Sequence, residues 1–311
     1  MKKKIIAGAI IGVVLLTLIA VGLFRDKTGL DRVAGDNSGE GEIGIIHISG
    51  VITTGGSSGG FTGAVNAGSQ TIISQLQDAR ENPQIKAVVL YINSPGGSAA
   101  GSLEIGNEIR RLRKAGKKVV AYMADSAASG AYWISCETDT IVANPATMTG
   151  SIGVIMRTTD LQGLYDMVGI DNNVFKSGPH KDMGSEVRDV TEEEREIFQS
   201  MINDIYDQFL NVVSRGRDMD MEQVKKLADG RVFTGRQALE KGLVDELGDM
   251  HKAVQTAADM AGIEGDPSVV NLSPRTFWDE FLTEMKNANK LNLQKLGLLP
   301  DYGMLLLPEH Q

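Results

Sequence analysis

A single cysteine, Cys136, among 311 residues excludes an intrachain disulfide framework, so an apolar core must hold the fold together. An excess of basic charge is also missing. The 31 Lys and Arg against 40 Asp and Glu leave a formal net charge of −9. That balance argues against nucleic-acid binding and against adhesion to anionic lipid through a basic patch. Histidine is scarce, with only His47, His180, His251 and His310. No repeat recurs at a fixed period. The glycine-rich turns lack the Gly-Lys-Ser/Thr ending of a P-loop and the full spacing of a dinucleotide fingerprint, and nothing suggests a metal or a cofactor.

Charge is absent altogether from Ile5 to Phe24. A helix of that length spans the roughly 30 Å of a bilayer core. Lys2, Lys3 and Lys4 precede the run, while Arg25, Asp26 and Lys27 follow with mixed sign. The positive-inside rule then keeps the N-terminus cytoplasmic and places the rest on the extracytoplasmic side. A cleaved signal peptide is the competing reading. The run is longer than a usual signal core, and Ala20-Val21-Gly22 is a poor cleavage site. The expected organisation is an anchor over 1–24, a polar linker over 25–42, one domain over 43–270 and a tail over 271–311. The tail carries apolar clusters at Leu296–Leu299 and Met304–Leu307 and reads either as packed on its own domain or as reaching a neighbouring subunit.

Within the domain, apolar strands alternate with amphipathic helices. Strands are expected at Ile43–Ile48, Lys86–Asn93, Lys118–Met123 and Thr140–Ala143, with further candidates at 152–156 and 173–176. Helices are expected at 71–80, 103–114, 235–241 and 250–261. A long one opens on the capping box Thr191-Glu192-Glu193-Glu194 and runs to about Arg217. The fold class is α/β, with a mostly parallel sheet and right-handed crossovers. Chemistry in such sheets sits at the carboxyl ends of strands.

Two segments follow strands in that way. Ser126-Ala127-Ala128-Ser129-Gly130-Ala131-Tyr132-Trp133 places a hydroxyl among residues too small to shield it. A serine nucleophile at the start of a helix needs such surroundings, and the Gly130 N–H is positioned for a developing oxyanion. A small-residue run that lets a helix pack closely on a sheet reads the same way. Ser94-Pro95-Gly96-Gly97-Ser98 offers a stiff turn whose glycines allow close approach, and its N–H groups are candidates for the second oxyanion donor. A plain tight turn is the simpler account of that segment alone.

A serine nucleophile needs a base. Of the histidines only His180 falls in a suitable loop, beside Lys181 and four residues after Lys176. A lysine serves as a base only if burial brings its pKa down from roughly 10.4. Ser151, in Gly150-Ser151-Ile152-Gly153, is a candidate to steer the amine. By composition alone, a solvated loop lysine is the more common account of Lys181.

Five segments in this order resemble the short-form bacterial signal peptide peptidases. They are Asn93–Ser98, Ala128–Trp133, Thr149–Gly153, Lys176–Asp182, and Phe233-Thr234-Gly235 with Ala238 and Gly242-Leu243-Val244-Asp245. The similarity runs from about Gly44 to Ala261. It implies a membrane-anchored serine endopeptidase with a Ser–Lys dyad, on the fold of the Clp protease subunit and the crotonases. By position it makes Ser129 the nucleophile, Lys181 the general base and Ser151 the holder of the lysine amine. Gly96 and Gly130 would form the oxyanion hole. Lys176 is the runner-up base. The resemblance also implies peptide substrates such as cleaved signal peptides, no cofactor, and a homo-oligomeric ring with sites built between adjacent subunits. The chain departs from the family pattern at Ala131, often a second glycine, and at His180, often an aromatic. A crotonase-like acyl-CoA enzyme and a catalytically silent membrane scaffold of the same fold are the rival readings.

Overall fold

The computed structural model describes residues 42–57 and 66–273. The apolar run 5–24, the linker up to residue 41 and the tail beyond Ser273 lie outside the described residues. Among the described residues, no helix is long and apolar enough to cross a membrane.

The four strands expected from their apolar runs form adjacent rows of one sheet. They are β1 (Ile43–Ser49), β4 (Ala87–Ser94), β5 (Lys118–Ala128) and β6 (Thr140–Ala143). The edges are β10 (Val269–Asn271) beside β1 and β9 (Glu246–Leu247) beside β6, and every one of these pairings is parallel. A separate two-stranded parallel ribbon joins β2 (Val51–Thr53) to β3 (Asn66–Gly68).

The central strands are apolar throughout because both faces are covered. Val88, Leu90 and Ile92 of β4 turn towards α1 (Ser69–Glu81) and α2 (Ala99–Lys114), meeting Ile72, Leu76, Ile105 and Ile109. The intervening Ala87 and Val89 turn towards α8 (Met250–Ala261), whose Ala253, Ala257 and Ala258 let it lie close. Full burial of each large aliphatic chain is worth about 1.5–3 kcal/mol, so this two-sided layer dominates the fold. Short helices α3 (Gly130–Ser135), α6 (Met221–Leu227) and α7 (Gly235–Glu240) follow the sheet, and α5 (Glu192–Arg217) runs for 26 residues. Phe209 of α5 stacks on Trp133 of α3 at 5.0 Å between ring centroids. Glu137, buried after α3, receives Arg110 of α2 and, at 2.6 Å, Arg215 of α5. That ion cluster ties the two helices to the end of α3.

Helix boundaries follow their caps. α2 begins four residues earlier than its apolar period, because the Ser98 hydroxyl accepts the Gly101 N–H at 3.1 Å. Thr191 and Glu194 form the expected reciprocal capping box at the start of α5.

Two strand expectations fail. Residues 152–156 and 173–176 form no strand; they lie in an arm that leaves the domain after Ile152 and rejoins it at α5. The strand next to this region is instead β7 (Met148–Gly150), antiparallel to β8 (Val232–Thr234). Apolar residues in the arm have no sheet partner. Phe175 is 96% exposed, Ile155 84% and Met167 82%. The arm's one helix is α4 (Gln162–Val168), which buries none of its residues.

Candidate active site

The site is built where β5 forks. Over Val120–Met123 its neighbour is β6, but over Ser126–Ala128 the neighbour is β7. Beyond the fork the strand gives way to α3, and Ser129 sits at the junction with φ 54° and ψ −121°. A positive φ on a residue with a Cβ costs on the order of 1–3 kcal/mol and persists only where surrounding contacts enforce it. Here the Ser129 N–H donates to the Gly150 carbonyl of β7 at 2.9 Å, and its carbonyl accepts the Trp133 N–H at 3.0 Å. The side chain is half-buried, and its Oγ has no hydrogen-bond partner among the described residues.

The glycine turn after β4 lies against this junction. Ser94 pairs with Ala127 across the β4–β5 ladder. Gly96 has φ 98°, and a Cβ there would stand 2.6 Å from the Ala128 carbonyl and 2.8 Å from Ser129 Cβ. Only glycine brings the turn so close. The Gly96 N–H is engaged, donating to the fully buried Ser94 hydroxyl at 3.0 Å. The N–H groups of Gly97 and Gly130 meet no acceptor among the described residues. They are neighbours, since a Cβ on Gly130 would lie 3.3 Å from the Gly97 nitrogen. That same Cβ would collide with Ser102 Oγ, whose hydroxyl donates to the Ser98 carbonyl at 2.9 Å. Two open amides beside an unpartnered hydroxyl are the elements that acyl transfer requires.

The remaining candidates divide. Ser151 directly follows the carbonyl that holds Ser129, has φ 50°, and donates its own N–H to the Arg231 carbonyl at 2.9 Å. Lys181 lies on the arm, exposed, in a turn closed by its N–H to the Gly178 carbonyl at 3.3 Å. No hydrogen bond or ion pair among the described residues joins it to Ser129 or Ser151. Lys176 pairs with Asp182 at 2.7 Å and donates to the Pro179 carbonyl at 3.1 Å. His180 stands 3.4 Å from Glu193. His47, exposed on β1, packs against Tyr91 at 4.8 Å between centroids, and partial loss of solvation lowers its pKa. Among the described residues, no cluster of His, Cys, Asp and Glu is arranged to hold a metal.

Residues 111–264 match the model of peptidase family S49, and residues 62–149 match that of the Clp protease. A putative protease of Synechocystis is 42% identical over 205 residues, covering 66% of this chain and 74% of that protein. The chain belongs to peptidase family S49. A putative signal peptide peptidase SppA of Enterococcus faecium is 39% identical over 211 residues, 68% of this chain and 61% of that protein. Protease 4 of Salmonella typhi is 38% identical over 224 residues, 72% of this chain but only 35% of the relative. This S49 chain is thus a serine peptidase on a Clp-protease-like, mostly parallel α/β sheet.

Sequence reading offered the amides of the Ser94–Ser98 turn as oxyanion donors but passed over two details of this candidate site. The Ser94 hydroxyl, which occupies the Gly96 N–H and leaves that of Gly97 open, was one; a serine two residues before a glycine is the signature of a side chain that closes its own turn. Ser102 was another, hidden in a helix whose pattern gives it no distinction.

Proposed function

We propose that the chain is a membrane-anchored serine endopeptidase. Ser129 is its nucleophile and Lys181 its general base. The observation that carries this reading is the enforced positive φ of Ser129 at a strand–helix junction packed against the glycine turn, where the amides of Gly97 and Gly130 are open among the described residues. In the proposed cycle a neutral Lys181 amine takes the Ser129 proton as Oγ attacks the scissile carbonyl. The tetrahedral oxyanion accepts hydrogen bonds from Gly130 and from Gly97, the latter in place of Gly96, whose N–H is occupied by Ser94. The lysine then protonates the leaving amine, and water repeats the sequence on the acyl-enzyme. Ser151 would steer the amine as it enters the site.

Lys181 rides on an arm whose ion pairs to its own domain, among the described residues, run to the start of α5 through Arg188 to Glu194 and His180 to Glu193, and the exposed side chains of Phe175, Met167 and Ile155 lie on the same arm. Exposed apolar surface of this kind marks a contact between chains. We therefore read the peptidase as a homo-oligomeric ring in which the arm of one copy completes the site of the next. The run 5–24 anchors it, the domain lies on the extracytoplasmic side, and the substrates are apolar peptides such as cleaved signal peptides.

The test uses the purified full chain with Ser129→Ala, Lys181→Ala and Lys176→Ala forms, a fluorogenic apolar peptide and a serine-reactive probe. Cleavage should vanish in the first two and survive in the third. A parent chain that assembles but neither cleaves the peptide nor takes the probe would favour a silent scaffold. Activity of mixed Ser129→Ala and Lys181→Ala subunits, each inactive alone, would support shared sites.

A further inference from the structure

The segment carrying Lys181 has neither strand nor helix over 169–191, yet the residue after Lys181 is firmly held. Asp182, the next residue, accepts from Lys176 at 2.7 Å, from Arg188 Nε at 3.0 Å and from Arg188 Nη2 at 2.8 Å. The guanidinium reaches onward to Glu194, with Nη2 to Oε1 at 2.5 Å and Nη1 to Oε2 at 3.0 Å. It also donates to the Asp182 and Asp189 carbonyls, at 3.2 and 2.9 Å. Glu194 is itself immobile. It is only 2% exposed, belongs to the first turn of α5 and accepts the Thr191 N–H at 3.0 Å. One planar cation therefore spans from the residue beside Lys181 to the frame of the domain, using every donor it has. Lysine, a point charge on a flexible stem, has no equivalent two-sided fork.

We propose that Arg188 is a positioning residue that aims Lys181 by clamping Asp182 to Glu194. The inference rests on the reading of Lys181 as the base. A general base must hold its place to within about half an ångström, and a displacement of about 1 Å costs on the order of 100-fold in rate. Around the clamp the arm supplies little else. Phe175 and Lys181 are exposed, His180 stands 3.4 Å from Glu193 at the start of α5, and a Cβ on Gly184 would lie 3.2 Å from the Phe198 ring. The pKa directions agree with the geometry, because the Arg188 guanidinium holds the Asp182 carboxyl well below its usual range and takes Glu194 down to about 2.

The experiment compares the full chain with Lys181→Ala, Arg188→Ala and Arg188→Lys, measuring kcat, KM, the pH profile of kcat/KM and the assembly state. Arg188→Ala should keep its assembly and its KM within about twofold, lose about 10- to 100-fold in kcat, and displace the ascending limb of its pH profile. Guanidinium ion at millimolar concentration should restore part of the loss where tetramethylammonium does not. Wild-type kcat and an unmoved pH profile in Arg188→Ala, with Lys181→Ala inactive, would overturn the clamp and spare the base assignment. Full activity in Lys181→Ala would overturn the base assignment and the clamp with it. If Arg188→Ala fails to assemble, Arg188→Lys decides. A loss of about tenfold or more with a displaced limb supports the fork, and wild-type kinetics refute it.

Discussion

Replacing Ser94 by alanine should separate the oxyanion site from the rest of the machinery. Ser94 is fully buried at the end of β4, and its Oγ accepts the N–H of Gly96 at 3.0 Å. Alanine preserves the strand and removes only that acceptor. The buried Gly96 amide is then left unpaired, which costs about 1–3 kcal/mol. For a domain of this size that lowers Tm by about 2 to 12 °C. The kinetic effect has a separate origin. Gly97 is held on its other side by the Ile52 N–H to the Gly96 carbonyl at 2.9 Å and the Ser98 N–H to the Ile52 carbonyl at 2.9 Å. Losing the Ser94 contact frees the near side of the turn, and the Gly97 N–H loses its aim. Complete loss of one oxyanion donor costs about 100- to 1000-fold in kcat, so a loosened donor should cost about 10- to 100-fold. The assay is hydrolysis of an apolar fluorogenic peptide, run beside the affinity of a peptide boronate that mimics the tetrahedral state. Boronate affinity and kcat should fall together while KM holds. A variant with lowered Tm but unchanged kcat and boronate affinity would refute the assignment of Gly97 as the donor and return attention to Gly96.

Three further outcomes are expected. Gly96→Ala should abolish hydrolysis and destabilise the fold, because the new Cβ meets the Ala128 carbonyl at 2.6 Å with φ at 98°; activity assay and thermal melting check it, and an active, stable variant would show that the turn can move away. Cys136, buried, has its thiol pushed up to about 12 by loss of solvation. The unfolded thiol ionises near 9.0, so the contribution is intact below that pH and is lost as pH rises from about 9 towards 12. Cys136→Ala should flatten part of the alkaline fall in Tm, and the native thiol should resist iodoacetamide at pH 8; rapid native labelling would contradict the burial. At the acid end, Glu194 falls from 4.5 to about 2, chiefly through its hydrogen bond from Arg188. A depressed carboxylate stabilises above its unfolded pKa, so the arm should loosen as pH drops from about 4.5 towards 2. Proteolysis within 176–190 should rise over that window while the sheet core stays protected, and uniform protection would count against the clamp.

The sequence by itself determined the layered fold and most of its boundaries. The apolar run of β4 demanded cover on both faces, and the capping box at Thr191 placed the start of α5, whereas α2, expected from Leu103, begins at Ala99 behind a Ser98 cap that the apolar period did not mark. Those signals are local, carried by periods and by side chains that bond backbone three residues away. The five glycine and serine segments also singled out Ser129, Gly130, Gly96, Ser151 and Lys181 before any coordinates. Tertiary structure decided what no local pattern encodes. The fork of β5 between β6 and β7 sets the strained φ of Ser129, because the Gly150 carbonyl that enforces it arrives from a different strand. The turn hydrogen bond of Ser94 decides which glycine amide is open. The strands expected at 152–156 and 173–176 fail because a strand needs a partner edge, and the arm finds none in its own domain. Arg188 gains its place only when Asp182 and Glu194, twelve residues apart, meet around one guanidinium; such a meeting is a property of the folded chain and not of any stretch of it.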